Sequence, residues 1–153
     1  MEDDELGWSA FARLPDELKK AAHDSVDEVL KGRATEVEKE LKKNTPVNKK
    51  GKYPGSTRKS ITMTPVNDKS RNGGQIIGYR VYYDGFHRPE RTTGKERPFQ
   101  VIANSLNRGF YNNHGYYIPG RYFIDKAVSL LKGMDDDIDK KFEEKVSKIK
   151  IGE

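Results

Sequence analysis

The sequence predicts an α+β fold: a long N-terminal helix and a C-terminal helix packed on a small antiparallel β-sheet, with a long loop excursion. Three observations carry this expectation. Apolar residues recur at helical spacing near both ends of the chain. Period-2 alternation and a run rich in β-branched and aromatic residues occur in the middle, and Gly- and Pro-rich stretches separate the two patterns. At 153 residues the length suits a single domain spanning 1–153.

Residues 1–14 form an acidic N-terminal segment. A helix is expected over 15–43, where Ala22, Val26, Val29, Leu30, Ala34, Val37 and Leu41 share one face. Pro15 suits a first turn, Asp16 and Glu17 oppose the positive end of the helix dipole, and Lys42 and Lys43 suit the other end. The stretch "NTPVNKKGKYPG" reads as a loop. In "TRKSITMTPV" polar and apolar residues alternate, as in a half-buried strand. The turn signal "NDKSRNGG" and the run "QIIGYRVYYD" complete a β-hairpin over 57–83. Residues 84–120 read as an extended loop, with a short helix over "PFQVIANSLNRG" and a strand near Tyr111, Tyr116, Tyr117 and Ile118. A closing helix is expected over 121–150, with Ile124, Ala127, Val128, Leu131, Met134, Ile138, Phe142, Val146 and Ile149 on its apolar face.

Composition narrows the function classes. With 33% hydrophobic and 35% charged residues the chain is more polar than an average domain. An elongated shape, or a part completed only in a complex, would account for this. The absence of cysteine excludes disulfides and thiolate metal sites. The acidic start "MEDDEL" is unlike a secretory signal, and no apolar run approaches the ~18 residues of a membrane span, so a soluble intracellular product with no membrane partner is expected. The net charge of +5 is uneven: −3 over 1–14, −1 over 15–43, +9 over 44–120 and zero over 121–153. The middle is therefore a basic block that could meet nucleic acid, an acidic protein surface or water.

An enzyme is the weaker reading. His23 lies among charged helix residues, and His87 and His114 sit on loops near Asp84, Glu90 and Glu96 without metal-ligand spacing. "NNHG" is a faint echo of a histidine nuclease motif, and no phosphate loop or nucleophile elbow is present. No catalytic, metal or cofactor residue is assigned. Nucleic-acid binding has more support, because Lys49, Lys50, Lys52, Arg58 and Lys59 precede the sheet and Arg88, Arg91, Lys95 and Arg97 follow it. Tyr53, Tyr82, Tyr83, Phe86 and Phe99 lie among them, and cations beside aromatics can serve phosphates and bases.

Two short segments carry a resemblance. "TPV" at 45–47 followed by "GSTRKSI" at 55–61 resembles the signature joining the first helix to the first strand in small head–tail joining proteins of tailed bacteriophages. These are neck or tail-completion proteins (minor tail components), found also in phage-tail-like particles. "YRVYYDGF" resembles their strand ending in an aromatic–acid–Gly turn, and "PGRYFIDKA" resembles the lead-in to their closing helix. The element order agrees along nearly the whole chain. The departures are the interrupting "NKKGKYP", Thr57 where leucine is usual, and the additional "ERPFQVIANSLNRGFYNNHGYY". The signature-turn residues are Pro46, Val47, Gly55, Ser60 and Ile61. Gly55 would allow a turn barred to other residues, with Arg58 and Ser60 on one side of the new strand and Lys59 and Ile61 on the other.

The resemblance implies a structural virion protein of the neck or tail, assembled in the bacterial host cytoplasm. Its copies would form a homo-oligomeric ring between the portal or head-closure complex and the tail, meeting tail-tube or tail-terminator proteins, with non-specific DNA contact in the lumen. Under this reading Tyr82, Tyr83, Phe86, Arg88, Arg91, Lys95, Arg97 and Phe99 belong to an assembly arm, since arginines and aromatics are favoured at interface centres. Lys49, Lys50, Lys52, Arg58 and Lys59 form a basic loop for protein or DNA. A tail-terminator ring protein is the near alternative. A basic nucleic-acid-binding protein or small nuclease is the alternative of a different class.

Overall fold

The fold, described from a computed structural model for residues 15–47, 55–66, 77–87 and 96–149, is mixed α+β, with a long N-terminal helix, a C-terminal helix and small antiparallel sheets. Helix α1 spans Asp16–Asn44, with Asp16 and Glu17 in its first turn and Lys42 and Lys43 in its last. A helical turn, α2 (Ser56–Lys59), leads into strand β1 (Ile61–Pro65). Strand β2 (Tyr79–Tyr83) pairs antiparallel with β1 in a register that sets Ile61 opposite Tyr83 and Met63 opposite Val81. Two short strands, β3 (Phe86–His87) and β4 (Arg97–Pro98), pair next, and helix α3 (Phe99–Arg108) follows. A hairpin of β5 (Gly109–Tyr111) and β6 (Tyr117–Pro119) precedes α4 (Phe123–Val128), a 3-10 turn (Ser129–Leu131) and α5 (Met134–Ser147).

The chain divides into two compact units. In Gly32–Lys132, one apolar cluster gathers Val37 and Leu41 of α1, Ile61, Tyr83, Ala103 of α3, and Phe123 and Ala127 of α4. Val81, Phe99, Leu106, Ile124 and Leu130 pack against it. Period 3.6 on the helices and period 2 on the strands deliver these residues to one place. In the other unit, Met1–Lys31 with Gly133–Glu153, polar contacts join α1 to α5 at the surface. Glu28 accepts a hydrogen bond from Lys145 at 2.9 Å and lies 4.0 Å from Lys141. Buried Ser25 donates to the Ala21 carbonyl at 2.6 Å.

Three expectations are corrected. The strand does not begin at residue 57: Gly55, at φ 78°, starts a helical turn, and Ser60 N–H bonds back to the Ser56 and Thr57 carbonyls. Arg58 and Lys59 therefore project from a helix, and strand alternation starts only at Ile61. The closing helix is not continuous. Lys132 is extended (ψ 138°) and Gly133 is left-handed (φ 76°), a pair that ends one helix and opens the next. Among the described residues, β-structure is three separate two-stranded pairs rather than one sheet.

Candidate functional site

The signature residues meet at the C-terminal end of α1. The Thr45 side chain is fully buried, its hydroxyl donating to the Leu41 carbonyl at 2.6 Å and lying 2.8 Å from the Tyr83 hydroxyl. The Thr45 carbonyl accepts two bonds from the Arg58 guanidinium, from Nη2 at 2.6 Å and Nε at 3.1 Å. Arg58 Nη2 also reaches the Lys43 carbonyl at 3.5 Å. A planar cation with several fixed donors is well suited to satisfy the free carbonyls at a helix terminus and to oppose its negative dipole end. The arginine expected in a DNA- or protein-binding loop thus has a structural engagement. Around it, Ser60 donates to the Thr57 carbonyl at 2.6 Å, and Pro46 and Val47 are half-buried.

Tyr83 makes this joint sensitive to alkali. Burial pushes its phenol above the ordinary value of 10.0, and the hydrogen bond with Thr45 offsets only part of that rise. The folded protein therefore favours the neutral phenol more strongly than the unfolded chain does. Tyr83's contribution is complete below pH 10.0 and is lost as pH climbs through the raised folded value. Unfolding free energy measured against pH should decline above about pH 10, and Tyr83→Phe should remove that part of the decline while costing about 1 kcal/mol at neutral pH. Identical alkaline slopes in the two proteins would contradict this.

The residues expected in an arm fall into three groups. Tyr83 and Phe99 serve the core, Tyr83 within it and Phe99 against it. Tyr82 is half-buried, and the half-buried His87, which is not one of the arm residues, sets its ring edge-on to Phe99 at 6.1 Å. Phe86, 60% exposed, and Arg97, exposed, stand at the base of the segment 88–95, on the paired strands β3 and β4. Tyr83 N–H donates to Gln100 Oε1 and Phe99 N–H to the Gly85 carbonyl, so α3 is tied to this base. Lys59 is exposed. Arg88, Arg91, Lys95, Lys49, Lys50 and Lys52 lie outside the described residues.

A second surface, which the sequence reading treated only as a strand, is the β5–β6 hairpin. Tyr111 faces Tyr117 across the ladder with ring centroids 5.3 Å apart, and Phe110 faces Ile118. Alternation puts the two pairs on opposite faces of the ribbon, and all four residues are exposed. The ribbon is mounted on buried Asn107. Its Oδ1 accepts from Ile124 N–H at 2.8 Å, its Nδ2 donates to Asp125 Oδ2 at 3.2 Å, and its carbonyl accepts from Tyr122 N–H at 3.0 Å. At Gly120 a Cβ would overlap the Asn107 carbonyl oxygen, so the ribbon's base fits closely against the end of α3. The signal for Asn107 was available only as a polar residue within an apolar helical pattern.

The unit Gly32–Lys132 thus carries exposed aromatic side chains at Phe86 and on the β5–β6 hairpin. A family model described as "Bacteriophage HK97-gp10, putative tail-component" matches residues 10–85, the stretch that holds α1, the signature turn and the first hairpin. Over that stretch the chain is similar to a family of phage tail components, as its signature leads one to expect. A component of this kind is a structural part of the virion, which points away from an enzyme and towards contact with other phage structural proteins. No curated protein and no solved structure matches the chain. Among the described residues no helix is long and apolar enough to cross a membrane.

Proposed function

We propose that this protein is a head–tail joining protein of the neck or tail-completion type. The observation that carries the reading is the tail-component match over residues 10–85, which coincides with the helix–turn–strand signature. In this role copies form a ring between the portal or head-closure complex and the tail, closing by heterologous contacts in which each subunit offers one surface and receives another. Residues 88–95, which join β3 to β4 in sequence, act in the assembly arm together with the exposed Phe86 and Arg97 on either side of them. The basic block contacts neighbouring proteins and the DNA that passes through the lumen. The protein resides in the neck or tail of a virion or phage-tail-like particle after assembly in the host cytoplasm.

Deletion of residues 88–95 tests this reading. The expected outcome is an unchanged far-UV CD spectrum and unfolding midpoint for the isolated protein, with unjoined heads and tails visible by electron microscopy. Normal joining by the deletion variant would remove the arm from the mechanism. Copurification with a tail tube end, in place of the connector, would favour the tail-terminator assignment.

A further inference from the structure

We propose that the β5–β6 hairpin is a docking site for the acidic N-terminal stretch, residues 1–14, of a neighbouring copy of this chain. The inference rests on the ring reading above and adds which surfaces meet.

The hairpin has the composition of half an interface. Tyr111 is 73% exposed, Tyr116 70% and Tyr117 53%, and Phe110 and Ile118 lie on the opposite face of the ribbon. A two-stranded ribbon with aromatics bare on both faces gains little from its own fold, and burying them would release considerable free energy. Among the described residues the ribbon is a two-stranded sheet, so an extended segment could be added at its edge. Charge narrows the occupant. Residues 97–124 contain Arg97, Arg108 and Arg121 and no acidic residue, and all three arginines are exposed.

The chain itself contains the complement. Residues 1–14 carry Glu2, Asp3, Asp4 and Glu5 against the single base Arg13, a net charge of −3, and they intersperse Leu6, Trp8, Phe11 and Leu14. An acidic peptide with large apolar side chains suits an aromatic ribbon flanked in sequence by the exposed Arg108 and Arg121. Carboxylates meet arginines at the rim while Trp8 and Phe11 cover the tyrosines. Donor segment and acceptor hairpin are different surfaces, so contact between copies is heterologous and propagates around a ring.

The test is complementation in solution, using the full chain throughout. Molar mass by light scattering across a concentration and salt series should rise with concentration and fall with salt for the wild-type protein. Trp8→Ser with Phe11→Ser removes the donor. Arg108→Glu with Arg121→Glu impairs the acceptor through exposed residues outside the core, and Tyr111→Ser with Tyr116→Ser does so independently. Each variant alone should self-associate at least about tenfold more weakly. A donor-defective and an acceptor-defective variant retain one good interface between them, so their mixture should form a one-to-one dimer and nothing larger.

Wild-type association by either acceptor variant, a mixture that stays monomeric, or a wild-type chain that is monomeric throughout would each overturn the proposal. So would salt-sensitive binding of an oligothymidylate that is lost in the acceptor variants while self-association persists, since the tyrosines would then serve bases. Complementation by a protein that fails to join heads to tails would keep this contact and remove the neck assignment. Joining by acceptor-defective variants would do the reverse.

Discussion

Phe123→Ala should cost about 3–5 kcal/mol of folding free energy. Phe123 is 2% exposed and belongs to the cluster in which α1, the first hairpin, α3 and α4 meet. Truncation removes most of a large side chain from that junction, and surrounding helices can fill such a space only in part. The preceding residue, Tyr122, adopts φ 52°, uncommon for a residue with a side chain. Urea unfolding of wild type and variant measures the difference. A loss below about 1 kcal/mol would mean that the core's weight lies elsewhere.

Asn107→Leu should be the next most damaging change described here, at about 2–3 kcal/mol. Leucine resembles asparagine in size and favours helix, so propensity alone would make the change harmless. The cost arises because Asn107, 4% exposed, is the partner of Ile124 N–H and Asp125 Oδ2, and leucine leaves the half-buried Ile124 amide without its acceptor. The expected fall in melting temperature is about 4–10 °C. A neutral result would show that water or a small shift satisfies Ile124 equally well.

The two substitutions bracket what could be read from the sequence. Periodicity located α1, because Ala34, Val37 and Leu41 are buried one turn apart. Alternation and a turn signal located the first hairpin, and its register places Ile61 opposite Tyr83. The helix over 99–108 was visible from Val101, Ile102 and Leu106. What escaped depended on tertiary partners. Nothing in "TRKS" distinguishes a helical turn from a strand until Arg58 finds the Thr45 carbonyl. Tyr83 read as an aromatic available for an interface, whereas it belongs to the chain's own core cluster. The break at Gly133 had a local signal, a glycine inside a helical pattern, which the apolar spacing on either side outweighed. The Asn107 hub had almost none, since a lone polar residue on a helix ordinarily faces water.

Thr45, Arg58 and Tyr83 come from three pieces of sequence that look independent, yet their side chains and one carbonyl form a single knot. This joint bears on how such a chain can diverge. Exchanging the threonine alone strands the buried Tyr83 hydroxyl, and exchanging the arginine alone opens a helix end. These positions should therefore change together or stay fixed, while much of the surrounding surface drifts. Descent would then be written in a few scattered letters, with long stretches carrying little trace of ancestry.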